Sequence, residues 1–318
     1  MAEFDFTEEL QEVKWIVEGL IPSGQLCIFL AQAGIGKSLV VEDLAVSIVY
    51  GEPFCGLNTI ASNVLIIDQD TPSDTIRKRL KRFSLGKSKE KEYSLYLESM
   101  GGYSLATDRL FNVINDYQSA KLVIIDSLHS VCGRLNPNHT VDMGVLAKLK
   151  KECLTPDRTI IINHHITEKT EYTVDLLMAG DTHKMSMGAS AIIQQADTYY
   201  IIGASAENGV TEKVYIRPVA KRQSIPTKPI ILQMLQLDNG GERLEYAGKY
   251  EPEFGEVDKD IMTLFREQNV VRTVKEVYES LGHRYGEGKV RTSLAELEQR
   301  GYLALSRHHH DLFKYRLP

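Results

Sequence analysis

The chain has 318 residues, 43% of them hydrophobic and 25% charged, which excludes a disordered or collagen-like polymer. At about 150 residues per domain, this length suggests two domains. The 37 Lys+Arg against 43 Asp+Glu give a formal charge of -6, which excludes a strongly basic nucleic-acid-binding surface over the whole molecule, so any such surface must be local.

The N-terminal MAEFDFTEEL is acidic and lacks the basic start and apolar core of a signal peptide. No apolar run approaches the roughly 20 residues of a membrane span. The four cysteines, Cys27, Cys55, Cys132 and Cys153, include no CxxC pair and no His at zinc-ligand spacing, so they read as reduced, small apolar residues. A soluble, cytoplasmic protein without a membrane partner is expected.

In chain order, LCIFLA (26–31), VLIID (64–68), LVIID (122–126) and TIIIN (159–163) are short, β-branched-rich and nearly free of polar residues. Such runs suit strands covered on both faces, as in a parallel sheet. Helical patterns fall between and around them at 37–50, 72–84, 105–118 and 142–153. The alternation predicts an α/β fold with right-handed crossovers. After Gly188 the runs TYYIIG, KVYIRPV and PIILQML read as further strands joined by short turns at one edge of the sheet.

The first strand leads into Ala31-Gln32-Ala33-Gly34-Ile35-Gly36-Lys37-Ser38 and then an amphipathic helix. This is the nucleotide-binding P-loop pattern, with Ala31 where Gly is more common. The glycines let backbone N–H groups curl around phosphates, so Ala33, Gly34, Ile35, Gly36, Lys37, Ser38 and Leu39 form the candidate ATP cradle. Lys37 would reach the β- and γ-phosphates, and Ser38 would ligate Mg²⁺. Asp126, closing a buried strand, is the expected acidic partner on the metal. At the end of the preceding strand, Asp68 and Asp70 stand where open parallel sheets bind ligands.

Six segments in this order, GLIPSG, AQAGIGKS, IIDQD with IRKRL, LVIIDSL, INHHITEK and GASAIIQQAD, resemble the RecA-fold family of RepA-like hexameric replicative helicases. The resemblance covers about residues 14–235. GASAIIQQAD also looks like the corresponding stretch of DnaB-type helicases. The resemblance implies an oligomeric, Mg-dependent ATPase acting in DNA replication as a helicase or translocase. A regulatory or recombination-mediator ATPase and an ATP-switched DNA-binding protein are the alternatives.

By position, Asp70 matches the acid that polarises the attacking water, usually Glu; Asp68 is the competing candidate. An aspartate is one methylene shorter, which draws the water closer or slows turnover. The resemblance places His164 where a polar side chain senses the γ-phosphate, with His165 beside it as the alternative. It also implies that loop 166–187 faces a ring channel and binds single-stranded DNA, Lys169 and Lys184 through phosphates and Tyr172 by stacking. Lys221 and Arg222 would reach the ATP of a neighbouring subunit in a hexameric ring or a filament, with Arg217 as a weaker alternative.

The stretch GKYEPEFGEVD (248–258) has no apolar period and reads as a linker. An ATPase domain over 1–250, a linker over 251–257 and a second domain over 258–318 are expected. Residues 256–318 carry 11 Lys+Arg and 10 Asp+Glu, so the negative charge belongs to the larger part. Ile261, Leu264 and Phe265 form one helical stripe; Val274, Val277, Tyr278 and Leu281 form a second, opened by a Thr273/Glu276 capping box. A third helix buries Val290, Leu294 and Leu297, and two short strands follow. This order resembles a winged helix-turn-helix. Its third helix would expose Lys289, Arg291, Thr292 and Ser293, and its wing Arg307, to double-stranded DNA; a replication protein is the other expected partner.

Overall fold

The computed structural model describes residues 13–317 except 138, 167–173, 180–189, 208–209, 221–227, 253, 269–270, 301 and 309–311. A small hairpin, β1 (Trp15–Val17) and β2 (Ile21–Pro22), precedes the main sheet. The α/β part then runs β3 (Leu26–Ala31), α1 (Lys37–Val49), β4 (Asn63–Asp68), α2 (Ser73–Leu85), β5 (Leu95–Ser99), α3 (Asp108–Asp116) and β6 (Ala120–Asp126). It continues with α4 (Leu128–Cys132), α5 (Thr140–Met143), α6 (Val145–Cys153), β7 (Thr159–His165), α7 (Val174–Ala179) and α8 (Ser190–Gln195). Four strands close it: β8 (Thr198–Glu207), β9 (Val210–Ala220), β10 (Ile230–Gln236) and β11 (Glu242–Lys249). No described helix is long and apolar enough to cross a membrane.

Nine strands form one sheet in the order β11-β10-β9-β8-β3-β7-β6-β4-β5. From β8 to β5 all neighbours are parallel, and β9 to β11 add an antiparallel meander. TYYIIG, KVYIRPV and PIILQML thus extend the sheet at one edge as expected, with β8 parallel to the P-loop strand and β9 and β10 antiparallel to their neighbours. All six residues of β3 are buried, and the sheet separates two apolar clusters, one under α1 and the other under α3, α4, α6, α7 and α8. Strands covered on both faces lose alternation, which explains their uninterrupted apolar runs.

The four predicted helices appear as α1, α2, α3 and α6. Four strands, β1, β2, β5 and β11, had no expectation: the first two are very short, and β5 and β11 are partly exposed with mixed polarity. Segment 166–187 is not wholly irregular. It contains α7, whose Leu177 and Met178 are buried in the core. The four cysteines are buried and free.

α1 is buried nearly all round, because α2 and the end of the meander cover its outer side. Its polar residues must therefore be paired. Asp43 accepts from Lys87 Nζ at 3.0 Å and from the Leu244 backbone N–H at 2.9 Å, while Lys87 also donates to Ser47 at 2.7 Å. This ties the P-loop helix to β11.

Beyond β11, α9 (Glu256–Gln268), α10 (Val274–Ser280), α11 (Glu287–Gln299), β12 (Ala304–His308) and β13 (Leu312–Arg316) enclose a third apolar cluster. Ile261, Phe265, Val277, Val290, Leu294 and Leu297 are fully buried in it. The capping box forms as expected, with Thr273 and Glu276 each accepting the other's backbone N–H. Arg272 and Tyr315 exchange backbone hydrogen bonds at 2.9 and 2.7 Å, adding a one-residue bridge to the hairpin.

Candidate functional site

The site lies at the carboxyl ends of β3, β4, β6 and β7. After β3 the backbone turns through Gly34 (φ 78°) and Gly36 (φ 87°), conformations that side chains with a Cβ adopt only under strain. Gly36 is the N-cap of α1, so the loop opens onto the N–H end of a 13-residue helix. Lys37 is 5% exposed, and its Nζ lies 3.0 Å from His165 Nδ1 and 3.3 Å from the Gln32 carbonyl. Burial pushes the Lys37 ammonium down to about 8, opposed by the Asp126 carboxylate.

The acidic wall comes from neighbouring strands whose ends are in register, Asp68 opposite Asp126. Ser38 Oγ donates to Asp126 Oδ2 at 2.6 Å. Asp68 is buried, and its Oδ1 accepts the backbone N–H groups of Asp70 (2.8 Å) and Thr71 (2.7 Å). Burial raises its carboxyl, and those two bonds oppose the rise. Asp68 thus builds the turn that carries Asp70. Asp70 is exposed, with Oδ2 accepting from Ser127 Oγ at 3.0 Å. Of the two candidates, Asp70 faces solvent at the cleft, and Asp68 is engaged by the backbone.

The two histidines divide by strand alternation. His165 shares a face with Ile161, on the α1 side, and meets Lys37. When the ammonium donates, Nδ1 is the acceptor and the ring proton resides on Nε2. His164 follows Ile160 and Ile162 onto the other face; it is buried, with Nδ1 lacking a hydrogen-bond partner. Burial, then the charges of His165 and Lys37, push it down to about 4. Of the two histidines, His165 and not His164 stands at the P-loop lysine, because a shift of one residue along a strand reverses the face.

Gly34 and Gly36–Leu39 of the phosphate loop, the aspartates Asp68, Asp70 and Asp126, and His165 line a cleft of about 490 Å³ together with two arginines of α2, Arg79 and Arg82. Neither was singled out by the sequence, although the helical pattern at 72–84 contains both. Arg79 pairs with buried Glu42 of α1 at 2.6 Å and Arg82 with Glu242 of β11 at 3.0 Å. Burial lifts the Glu42 carboxyl to about 7 against the pull of Arg79.

The remaining described candidates do not line the cleft. Arg217 donates to the Leu177 carbonyl at 3.3 Å. Lys169, Tyr172, Lys184, Lys221 and Arg222 lie outside the described residues. On α11, Lys289, Arg291 and Thr292 are exposed, with Arg291 paired to Glu287 at 3.2 Å. Ser293, expected on that exposed face, is instead buried and donates to Asp258 of α9, because the helix turns it inward beside Leu294. Arg307 falls on β12, opposite Phe313 in register.

The donor set fits a nucleotide with a hard divalent cation. No atom comes within 4 Å of a Cβ built on Gly34, so the loop leaves room for phosphate. The Ser38 hydroxyl and Asp126 carboxylate are oxygen donors of the type that suits Mg²⁺, which takes few protein ligands and completes its shell with phosphate and water. No group of three or more His, Cys, Asp or Glu able to hold a metal occurs among the described residues.

A parallel sheet with the β7 strand between the P-loop strand and the Asp126 strand, bearing this cradle, defines a RecA-like P-loop ATPase. A family model described as AAA domain matches residues 2–171, and the chain belongs to that family. No curated protein matches it. Among solved structures it is similar to the flagellar accessory protein FlaH from Methanocaldococcus jannaschii, at 13% identity and a TM-score of 0.44, over 73% of this chain and 92% of that one; at that distance the likeness adds nothing to the assignment.

Proposed function

We propose that the protein is an oligomeric, Mg-dependent ATPase that translocates on or unwinds DNA in replication. The observation that carries this reading is the Lys37–His165 contact at the end of β7. A side chain touching the phosphate-binding lysine stands one residue before segment 166–187, so occupation of the cleft bears directly on the segment assigned to single-stranded DNA. Lys169, Tyr172 and Lys184 are its proposed contacts.

In this reading Asp70 takes the proton of the water that attacks the γ-phosphate, and the Ser127 hydroxyl fixes the carboxylate. Lys37 and the loop N–H groups hold the phosphates. Ser38 and Asp126 would hold Mg²⁺, which when bound neutralises phosphate charge. Lys221 and Arg222 complete the site of a neighbouring copy, in a hexameric ring or a filament. The part from 258 onward is proposed as a separate winged-helix domain, docking duplex DNA or a replication protein through Lys289, Arg291 and Arg307. Its three helices, hairpin and independent core support this.

Strand displacement and ATPase assays with and without single-stranded DNA, together with mass measurement with and without ATP, test the proposal. Stimulated turnover and unwinding by an assembled species are expected. An assembly that hydrolyses ATP with no DNA response would instead indicate a regulatory ATPase. A Lys221→Ala subunit should regain partial activity when mixed with Lys37→Ala; no rescue would count against a shared site.

A further inference from the structure

In a largely apolar, buried stretch of α1 stand two consecutive acidic residues, and they are treated differently. Asp43 is compensated by Lys87 and a backbone N–H. Glu42 is compensated only in part: its Oε1 accepts from Arg79 Nη2 at 2.6 Å, while Glu42 Oε2 and Arg79 Nε are both buried without a hydrogen-bond partner. Arginine and carboxylate commonly close a buried pair with two parallel bonds. Here the fork is half used. The Glu42 side chain is 4% exposed, that of Arg79 20%, and Arg79 lines the nucleotide cleft. One edge of the guanidinium is therefore anchored in the protein while the side chain reaches the opening. Arg82, the other arginine of this wall, is 48% exposed and pairs not with α1 but with Glu242 of β11.

We propose that Glu42 is a positioning residue of the nucleotide site: its ion pair holds the Arg79 guanidinium on the α1–α2 wall, where Arg79 grips a phosphate of the bound nucleoside triphosphate. The proposal rests on the reading of the cleft as the ATP site. Lys37 approaches the phosphates from the loop, and Arg79 approaches from α2, so the two cations are supplied by different elements. Glu42 carries its effect through Arg79 alone. Substitutions of the pair are therefore not additive.

The test is a double-mutant cycle on the full chain with Glu42→Gln, Arg79→Gln and both together. It reads Kd for a fluorescent ATP analogue, KM and kcat for ATP, and the melting temperature. Arg79→Gln should raise Kd and KM about tenfold, the worth of one charge-assisted hydrogen bond, with kcat changing less than about threefold. Glu42→Gln should raise the same two constants by a smaller factor, and the double variant should bind no more weakly than Arg79→Gln. Full additivity, or an unchanged KM in Arg79→Gln, overturns the proposal. Arg79→Gln strands a buried carboxylate and risks misfolding, whereas the double variant leaves two neutral amides able to bond each other; if it binds the analogue as tightly as wild type, the proposal fails. Loss of melting temperature with unchanged Kd and KM would make the pair structural only and also overturns it. If wild type itself does not bind the analogue, the ATP-site reading falls first.

Discussion

The nucleotide end of the sheet and the unit from α9 to β13 are built to opposite standards. In the smaller unit, local preference and final structure agree: the capping box closes, the apolar stripes meet in one core, and ion pairs such as Arg291–Glu287 lie on the surface. At the nucleotide end Lys37 and Glu42 on one face of the sheet, and His164 on the other, are buried, and each is pushed toward its neutral form. Groups held that way cost stability and persist where a ligand or a reaction uses them.

The largest effect that would break the comparison is on turnover. Lys37→Ala should abolish ATP hydrolysis, and Asp70→Asn should reduce it by about 10² to 10⁴, the worth of a general base, while nucleotide binding persists. Full activity in Asp70→Asn, measured by phosphate release, would move the role to Asp68. Next, His165→Ala should lower kcat about tenfold or more, as expected for a group at the transferring phosphate. His164→Ala should change kcat less, and the reverse order would restore His164 as the sensor.

A smaller effect concerns pH. The folded-state value of His164, about 4, lies below its ordinary 6.5. Between these values the unfolded chain binds more protons. Stability from this residue is thus fully present above pH 6.5 and is lost as pH falls toward 4, by on the order of 3 kcal/mol. Denaturant titrations across this range should show the loss, and His164→Gln should remove its pH dependence. The smallest effect on catalysis is expected from the other region. Leu294→Ala should destabilise the small unit by about 2 to 5 kcal/mol through the cavity it leaves. Basal ATPase should stay within about twofold; a larger fall would mean that the two regions are energetically one.

Much of the site was legible because the P-loop is a local device. Gly34, Gly36, Lys37 and Ser38 lie within five consecutive residues, and their φ values and helix start follow from the residues themselves. Asp126 was legible as the polar end of an apolar strand. The choice between Asp68 and Asp70 was not, since it depends on which carboxylate the backbone N–H groups of Asp70 and Thr71 consume. Ser127, Glu42 and Arg79 were missed for a related reason. Each earns its place through a partner 37 to 57 positions away, and nothing nearby in the chain marks it.

By itself, then, the sequence determined the α/β class, the phosphate loop with its lysine and serine, the strand-end aspartates and the core positions of the C-terminal helices. All of these depend on periodicity or on adjacent residues. Tertiary structure alone decided that TYYIIG joins the parallel sheet beside β3, that His165 and not His164 meets Lys37, and that Glu42 holds Arg79 at the cleft. Those outcomes depend on strand order, on which face of a strand points where, and on the approach of α2 to α1. Such relations appear only when distant segments pack, because burial and charge pairing are properties of the assembled chain.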